Sequence, residues 1–460
     1  MTRILDVDYL VVGAGAMGMA FTDALTDHAD VKVLLIDRRH GASGHWLEAY
    51  PFVRLHQASA FYGVASTLLG GGKLQKRGPE QGLHERASQP EICLYYARML
   101  ERLVESGKVE FAANTEYVGD RTVVSRISGE RFEVSERCRV VDAHYLAPSI
   151  PAEKAAPFGV PANARVLPVN ALARLDGPAS QYVVVGAGKT ATDACIWLLA
   201  RGVDPDDICW VRAREPWMTN RAVVQPDPAV FTGLAADTFQ AGAVSTSLDD
   251  LFLRLEDAGI MMRIDRTVLP TMAKAPTLAQ WELEQLRTLQ NVVRRGHLQA
   301  VERGRLTFAD GSVAVPDDAV VVHCAADGLK YPPLVPVWRP DVITLQAIRA
   351  GFPCFGAALT GYVEATRQDD DEKNRLCPPT GYGDSLAQWA GMNVRGTQAV
   401  LSFMSQPDIK EWSSRVAINP ARIPPDHPGS PALDAARERL AAHLKPGLAR
   451  LAELSAVASG

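Results

Sequence analysis

The chain has 460 residues, enough for two or three domains, and its 47% hydrophobic content suits a large core that folds without metal or disulfide staples. A formal charge of −5 with both signs interspersed supplies no basic tract for nucleic acid or anionic lipid, which leaves a small molecule as the default ligand. The seven cysteines, Cys93, Cys138, Cys195, Cys209, Cys324, Cys354 and Cys377, form no close pair, which argues against zinc and against a dithiol reductase and reads as reduced thiols of a cytoplasmic protein.

No apolar run is long enough to span a bilayer, and Asp6 and Asp8 interrupt the apolar N-terminus that a signal peptide needs. Asp8-Tyr-Leu-Val-Val leads into Gly13, Gly15 and Gly18, a helical stretch to about Thr26, and a second strand from Val31 that ends at Asp37. Strand, glycine turn, helix and an acid at the end of the next strand make up the dinucleotide-binding pattern, in which the pyrophosphate meets the helix N-terminus and the acid takes ribose hydroxyls. The plain alternative for Asp37 is a solvated strand end. A long aromatic loop follows to about Gly72, then a helix around Pro90 to Ser106 and strand-like runs between Arg131 and Pro148. The Pro/Ala-rich segment PSIPAEKAAPFGVPANA reads as a linker.

Tyr182 to Asp193, YVVVGAGKTATD, contains G-K-T, yet the residue five positions before Gly188 is Val183, so the wrap of an ATP-binding phosphate loop is missing. The stretch fits a second dinucleotide turn: Gly186 bends the chain, Gly188 admits a pyrophosphate, Ala191 replaces the third glycine, and Lys189 and Thr190 lie beside the phosphates. Its next strand, ICWV, ends at Arg212 and Arg214, where the first unit has Asp37. Guanidinium forks there suit the 2′-phosphate of NADPH, and because the two arginines alternate, one faces away. Helices are expected at SLDDLFLRLEDAG and TLAQWELEQLRTLQNVV, then a hairpin with a D-G turn and a buried strand. From Phe352 the chain runs through an exposed charged loop to a helix near Leu386 to Phe403, and a helical tail is interrupted at Pro446.

With both turns placed, the sequence resembles the class B flavin monooxygenases: flavin-containing, Baeyer-Villiger and N-hydroxylating enzymes. Gly44-His45-Trp46 matches their G-G-x-W with Ser43 in place of the first Gly, Tyr50-Pro51 with Arg54 looks like Y-P-x-x-R, and Asp318 to Ala326 resembles the late strand ending in A-T-G. The resemblance implies an α/β fold of two Rossmann-like domains with the NADPH domain inserted into the FAD domain: 1–150 and 318–420 for FAD, 151–317 for NADPH with a helical insertion, and 421–460 a helical tail. It implies Gly13, Gly15, Gly18, Asp37, Arg38, His45 and Trp46 for FAD, and Gly186, Gly188, Lys189, Thr190, Ala191, Arg212 and Arg214 for NADPH. Arg214 is favoured for the 2′-phosphate because A-R-E-P resembles the family's Q-R-x-P. The sequence departs from the family in having no histidine from Pro148 to Gln181, where F-x-G-x-x-x-H belongs, and in placing His56 where Baeyer-Villiger enzymes keep an Asp.

The implied activity is oxygenation of a small organic substrate with dioxygen, through a peroxyflavin, and Arg54, His56 and Arg221 are the candidates for catalysis. His56 is alternatively a satisfied buried imidazole, the aromatics from Trp46 to Tyr62 are alternatively core, and Arg221 falls near the family's flavin-facing arginine. His323, Asp327 and Glu364 read as structural or surface groups. An NADPH-dependent flavin reductase or dehydrogenase, or a nucleotide-binding redox sensor, are the competing functions.

Overall fold

The computed structural model describes residues 3–325 and 330–456. The first unit opens with β1 (Tyr9–Val12), turns into α1 (Ala16–His28) and returns in β2 (Val33–Ile36), parallel to β1. Leu10, Val12, Leu34 and Ile36 fill a core on one side of this sheet while Val11 and Leu35 fill the other, so both strands are continuous apolar runs. α2 (Gln89–Glu105) starts at a Ser88/Glu91 capping box and buries Ile92, Tyr95, Tyr96, Met99 and Leu103, one helical stripe, before β3 (Val109–Ala112). β4 (Arg139–Asp142) joins the other side of β1. The run at Arg131–Val134 belongs instead to a small four-stranded sheet with Arg3–Leu5.

The second unit contains β5 (Val166–Pro168), β6 (Tyr182–Val185), α3 (Lys189–Ala200), β7 (Ile208–Val211), α4 (Pro228–Val244), α5 (Leu248–Asp257), β8 (Val292–Val293) and β9 (Val320–His323). Its sheet is parallel throughout, in the order β8-β7-β6-β9-β5. The boundary expected at 318 is therefore displaced. Val320 and Val322 pack with Val184 on one face and Val321 with Val183 on the other, which keeps β9 beside β6. The chain regains the first sheet only through β10 (Trp338–Arg339) and β11 (Val342–Thr344), giving the order β10-β11-β4-β1-β2-β3. Ala326 and Asp327 lie outside the described residues.

The expected helix over 277–293 is confined to Gln280–Leu286. Met272–Leu278 is drawn into a sheet with Pro216–Asn220 and Met261–Arg263, and Val292–Val293 into β8, so strand pairing overrides the helical pattern at both ends. The D-G hairpin forms between Arg305–Phe308 and Gly311–Ala314, with Gly311 at φ +134.

Where an exposed charged loop was expected after Phe352, the chain forms α6 (Pro353–Thr366) and α7 (Asp370–Leu376). α6 is buried nearly all round and touches α1 through Gly361, whose added Cβ would meet Phe21 O at 2.4 Å. Lys373 of α7 is buried on Glu364 of α6 at 2.6 Å, and Glu364 also accepts from Tyr9 and Trp338. α8 (Leu386–Phe403) occupies its expected range. α9 (Pro431–Ala456) runs through Pro446 without the expected interruption, and the next residue, Gly447, lets it close on α4, where an added Cβ would meet Phe239 O at 2.2 Å. No helix among the described residues is long and apolar enough to cross a membrane.

Candidate active site

Both glycine turns form as the spacing requires. Gly13 leaves β1 at φ +112 and donates its N–H to Ile36 O at 2.8 Å. A Cβ on Gly18 would lie 1.8 Å from Gly13 O, so only glycine lets α1 close on the strand end. Gly15 stands at the N-cap of α1 and Gly188 at that of α3, and neither N-terminus has a side-chain cap or an acidic residue in its first turn. The leading amides of both helices are thus unpaired by side chains and suited to an anion.

The two turns differ in what faces them. Gly15 meets Gly44, whose added Cβ would lie 2.9 Å from Gly15 Cα, so the groove there is walled by backbone alone. Nothing lies within 4 Å of a Cβ built on Gly188, and Ala191 is fully buried behind it against the sheet. Both arrangements fit a pyrophosphate approaching bare backbone. Asp37 is a buried carboxylate rather than a solvated strand end: it accepts from Ala14 N and Arg39 N, both at 2.8 Å, and so fixes the first turn. Arg38 reaches back to Glu153 in the linker at 2.8 Å. His144, which sequence reasoning missed, covers Gly13 so closely that a Cβ there would meet its Nε2 at 2.8 Å.

Ser43 holds the first-glycine position of the G-G-x-W match at φ +107, and its buried hydroxyl has no hydrogen-bond partner. A side chain in that backbone region is strained, at about 1–3 kcal/mol. Ser43→Gly is expected to stabilise the protein by about 1 kcal/mol, read as a higher urea midpoint; a lower midpoint would show that the hydroxyl is needed.

The aromatic loop is docked onto the second unit. Tyr50 donates to Asp193 at 2.7 Å, Phe52 stacks on Trp197 with centroids 4.9 Å apart, and Trp46 donates to Tyr62 at 2.6 Å. Lys189 pairs with Asp193 one turn along α3, and burial lowers its pKa. Thr190 is half-buried beside these groups. A cavity of about 890 Å³ runs between α2 and α3, with Arg54, Arg86, Lys189, Asp193 and Trp281 among its walls.

The three residues expected to carry catalysis are separated in role. Arg54 is exposed and donates to Arg86 O at 3.0 Å. His56 accepts from Thr277 N at 3.3 Å through Nδ1, and burial followed by the charges of Lys189, Arg221 and Arg86 lowers its pKa to about 3. Arg221 is fully buried: it donates to His56 O at 2.9 Å, Glu80 at 2.7 Å and Glu282 at 2.6 Å. Arg86, paired with Glu80, completes the cluster. Arg221 thus pins the two units together, with two carboxylates and the His56 carbonyl occupying its fork. Burial alone would raise the Glu80 carboxyl, but Arg86 and Arg221 hold it down at about 2.

In the second unit Arg212 is the arginine that faces inward. It lies over Trp210 at 4.4 Å and 3.1 Å from Glu215, off the line of a hydrogen bond, with Nε and Nη1 otherwise unpartnered. Arg214 is half-exposed and pairs with Asp384. His323 is buried edge-on against Phe158.

Burial, reinforced by Arg39, lowers His45 to about 4, and His56 stands at about 3, against an ordinary 6.5. Both bind protons more weakly when folded than unfolded, so the stability they contribute is complete above pH 6.5 and is lost as pH falls toward those values. The urea midpoint is expected to decline from about pH 6.5 downward, before carboxylates titrate; His56→Asn should flatten that slope, and an unchanged slope would place the imidazole in water.

Residues 11–62 match the family model described as an NAD(P)-binding Rossmann-like domain. Over 421 residues the chain is 40% identical to the uncharacterized protein Rv2000 of Mycobacterium tuberculosis, covering 91% of this chain and 78% of the relative, and the uncharacterized protein Mb2023 of Mycobacterium bovis matches equally. The polycyclic ketone monooxygenase of the fungus Thermothelomyces thermophila superposes with a TM-score of 0.52 over 97% of this chain and 90% of its own, at 14% identity. A cyclohexanone monooxygenase in its open form gives a TM-score of 0.49 over 78% of this chain and 88% of its own, at 16% identity. The nested Rossmann-like units thus share the fold of the polycyclic ketone monooxygenase, and the chain belongs to the protein family of the mycobacterial protein Rv2000.

Proposed function

We propose that the chain is an FAD- and NADPH-dependent oxidoreductase that oxygenates a small organic molecule. What supports this most is the pair of uncapped helix N-termini at bare glycine backbone, one in each of two nested Rossmann-like sheets. In this reading Gly13, Gly15, Gly44 and Asp37 hold FAD, and Gly186, Gly188 and the start of α3 hold NADPH. Bound FAD supplies hydride acceptance and the activation of dioxygen. The chain's own part is to bind, orient and keep water out: the Trp46–Tyr62 bond braces the aromatic loop itself, and Tyr50 on Asp193 with Phe52 stacked on Trp197 fixes that loop against α3 of the other unit.

Arg214, half-exposed at the end of β7, is the residue proposed to read the 2′-phosphate, since Arg212 is sequestered on Trp210. A charge-assisted hydrogen bond contributes about 1.5–3 kcal/mol, so Arg214→Ala is expected to weaken NADPH roughly ten- to hundredfold and to leave NADH nearly unchanged. Equal use of both coenzymes by the unaltered protein in flavin-reduction assays would contradict the assignment.

One observation favours a second reading, NADPH-dependent flavin reduction without oxygenation: Arg221, the candidate for the flavin-facing arginine, is wholly engaged by Glu80 and Glu282. Turnover with labelled dioxygen separates the two. Label in an organic product supports oxygenation, whereas label only in hydrogen peroxide supports the reductase.

A further inference from the structure

Arg349 lies in the loop between β11 and α6, deep in the molecule yet half-buried rather than sealed off. Among the described residues no carboxylate lies within 4.0 Å of it, whereas the buried Arg86 and Arg221 both carry glutamates. Its guanidinium lies over the Phe231 ring, 5.6 Å from the centroid. Burial alone lowers its pKa to about 10, so it stays a cation at neutral pH. An unpaired guanidinium at depth costs stability, and such a cost is commonly retained for binding.

The surroundings supply the rest of a site. Phe61 from the aromatic loop, Phe231 from α4 and Phe352 at the start of α6 pack edge-on to one another, with centroids 5.3–6.1 Å apart, so three parts of the fold converge here. Gly351, between Arg349 and this cluster in the chain, has φ +81 and open space where a Cβ would stand. The Gly351 backbone N–H points at the buried Tyr382 oxygen, whose own O–H has no acceptor. Two donors without acceptors, an aromatic wall and open space beside them call for a ligand with an anionic oxygen on an apolar body.

We infer that Arg349, with Tyr382 and the Phe61–Phe231–Phe352 cluster, receives the carboxylate and the apolar body of a small organic-acid substrate. This names the substrate class of the oxidoreductase proposed above and rests on that reading for its catalytic meaning.

The test uses the purified full chain with benzoate, phenylacetate and cyclohexanecarboxylate against their neutral amides, by calorimetry and thermal shift, with Arg349→Met and Arg349→Lys alongside. The acids are expected to bind at least about tenfold more tightly than the amides. Arg349→Met should abolish that preference and Arg349→Lys keep part of it, while the unliganded Arg349→Met protein melts no lower than the original. No binding of any acid, equal binding of acids and amides, or a preference that survives Arg349→Met overturns the inference. So does loss of flavin from Arg349→Met when the unaltered protein shows no preference, because Arg349 then serves the flavin. A colourless protein that still prefers acids would refute the flavoenzyme reading and leave this site standing.

Discussion

Arg221→Ala is expected to lower the unfolding free energy by about 3–5 kcal/mol, because removing one member of a buried ion cluster leaves the others uncompensated. Arg221 is fully buried and joins Glu80 of the first unit's loop to Glu282 of the second, while also holding the His56 carbonyl. Arg86 remains in the variant beside Glu80 and 3.6 Å from Glu282, so the loss is that of the shorter Arg221 bonds to both carboxylates and to the His56 carbonyl. Urea denaturation should show the full loss, and Arg221→Lys, which cannot span both carboxylates, should recover only part of it. A variant that melts at the original temperature but turns over slowly would return Arg221 to the role of a group facing the reaction.

The second large effect is at Gly188, where the fold tolerates a side chain and the ligand does not. Nothing lies within 4 Å of a Cβ built there, and its backbone is extended at φ −94, ψ −172, which valine adopts without strain. Gly188→Val should therefore keep its melting temperature and still carry flavin. NADPH should bind at least about a hundredfold more weakly, since two charge-assisted bonds to the leading amides of α3 are worth roughly 3–6 kcal/mol. Calorimetry with NADPH on the two proteins measures this. Unchanged affinity would place the coenzyme elsewhere.

The turns were legible because their chemistry is local. Gly13, Gly18 and Gly186 announce bends and close packing within a few residues, and β1, β2 and β6 are uniformly apolar because both faces of a parallel sheet are covered. What stayed hidden depends on partners far along the chain. Glu80 sits in a polar loop and finds Arg221 at a separation of 141 residues, so nothing near either residue signals the pair. Lys373 and Glu364 looked like parts of a charged loop because their sequence neighbours are charged, whereas mutual neutralisation allows both to be buried. β9 was assigned to the wrong sheet because an apolar strand pairs equally well in either, and only the contacts of Val321 and Val322 decide. Tyr50 and Asp193 each belong to a recognisable motif, yet the bond between them joins two units that the motifs describe separately.

In the function proposed, one chain binds two dinucleotides in nested units and passes electrons from one to the other. Anaerobic addition of NADPH to the purified chain is the decisive experiment. The expected result is a yellow protein with one FAD per chain whose visible absorbance bleaches on adding NADPH and returns on admitting air. A colourless protein, or a yellow one that NADPH leaves oxidised, would contradict it.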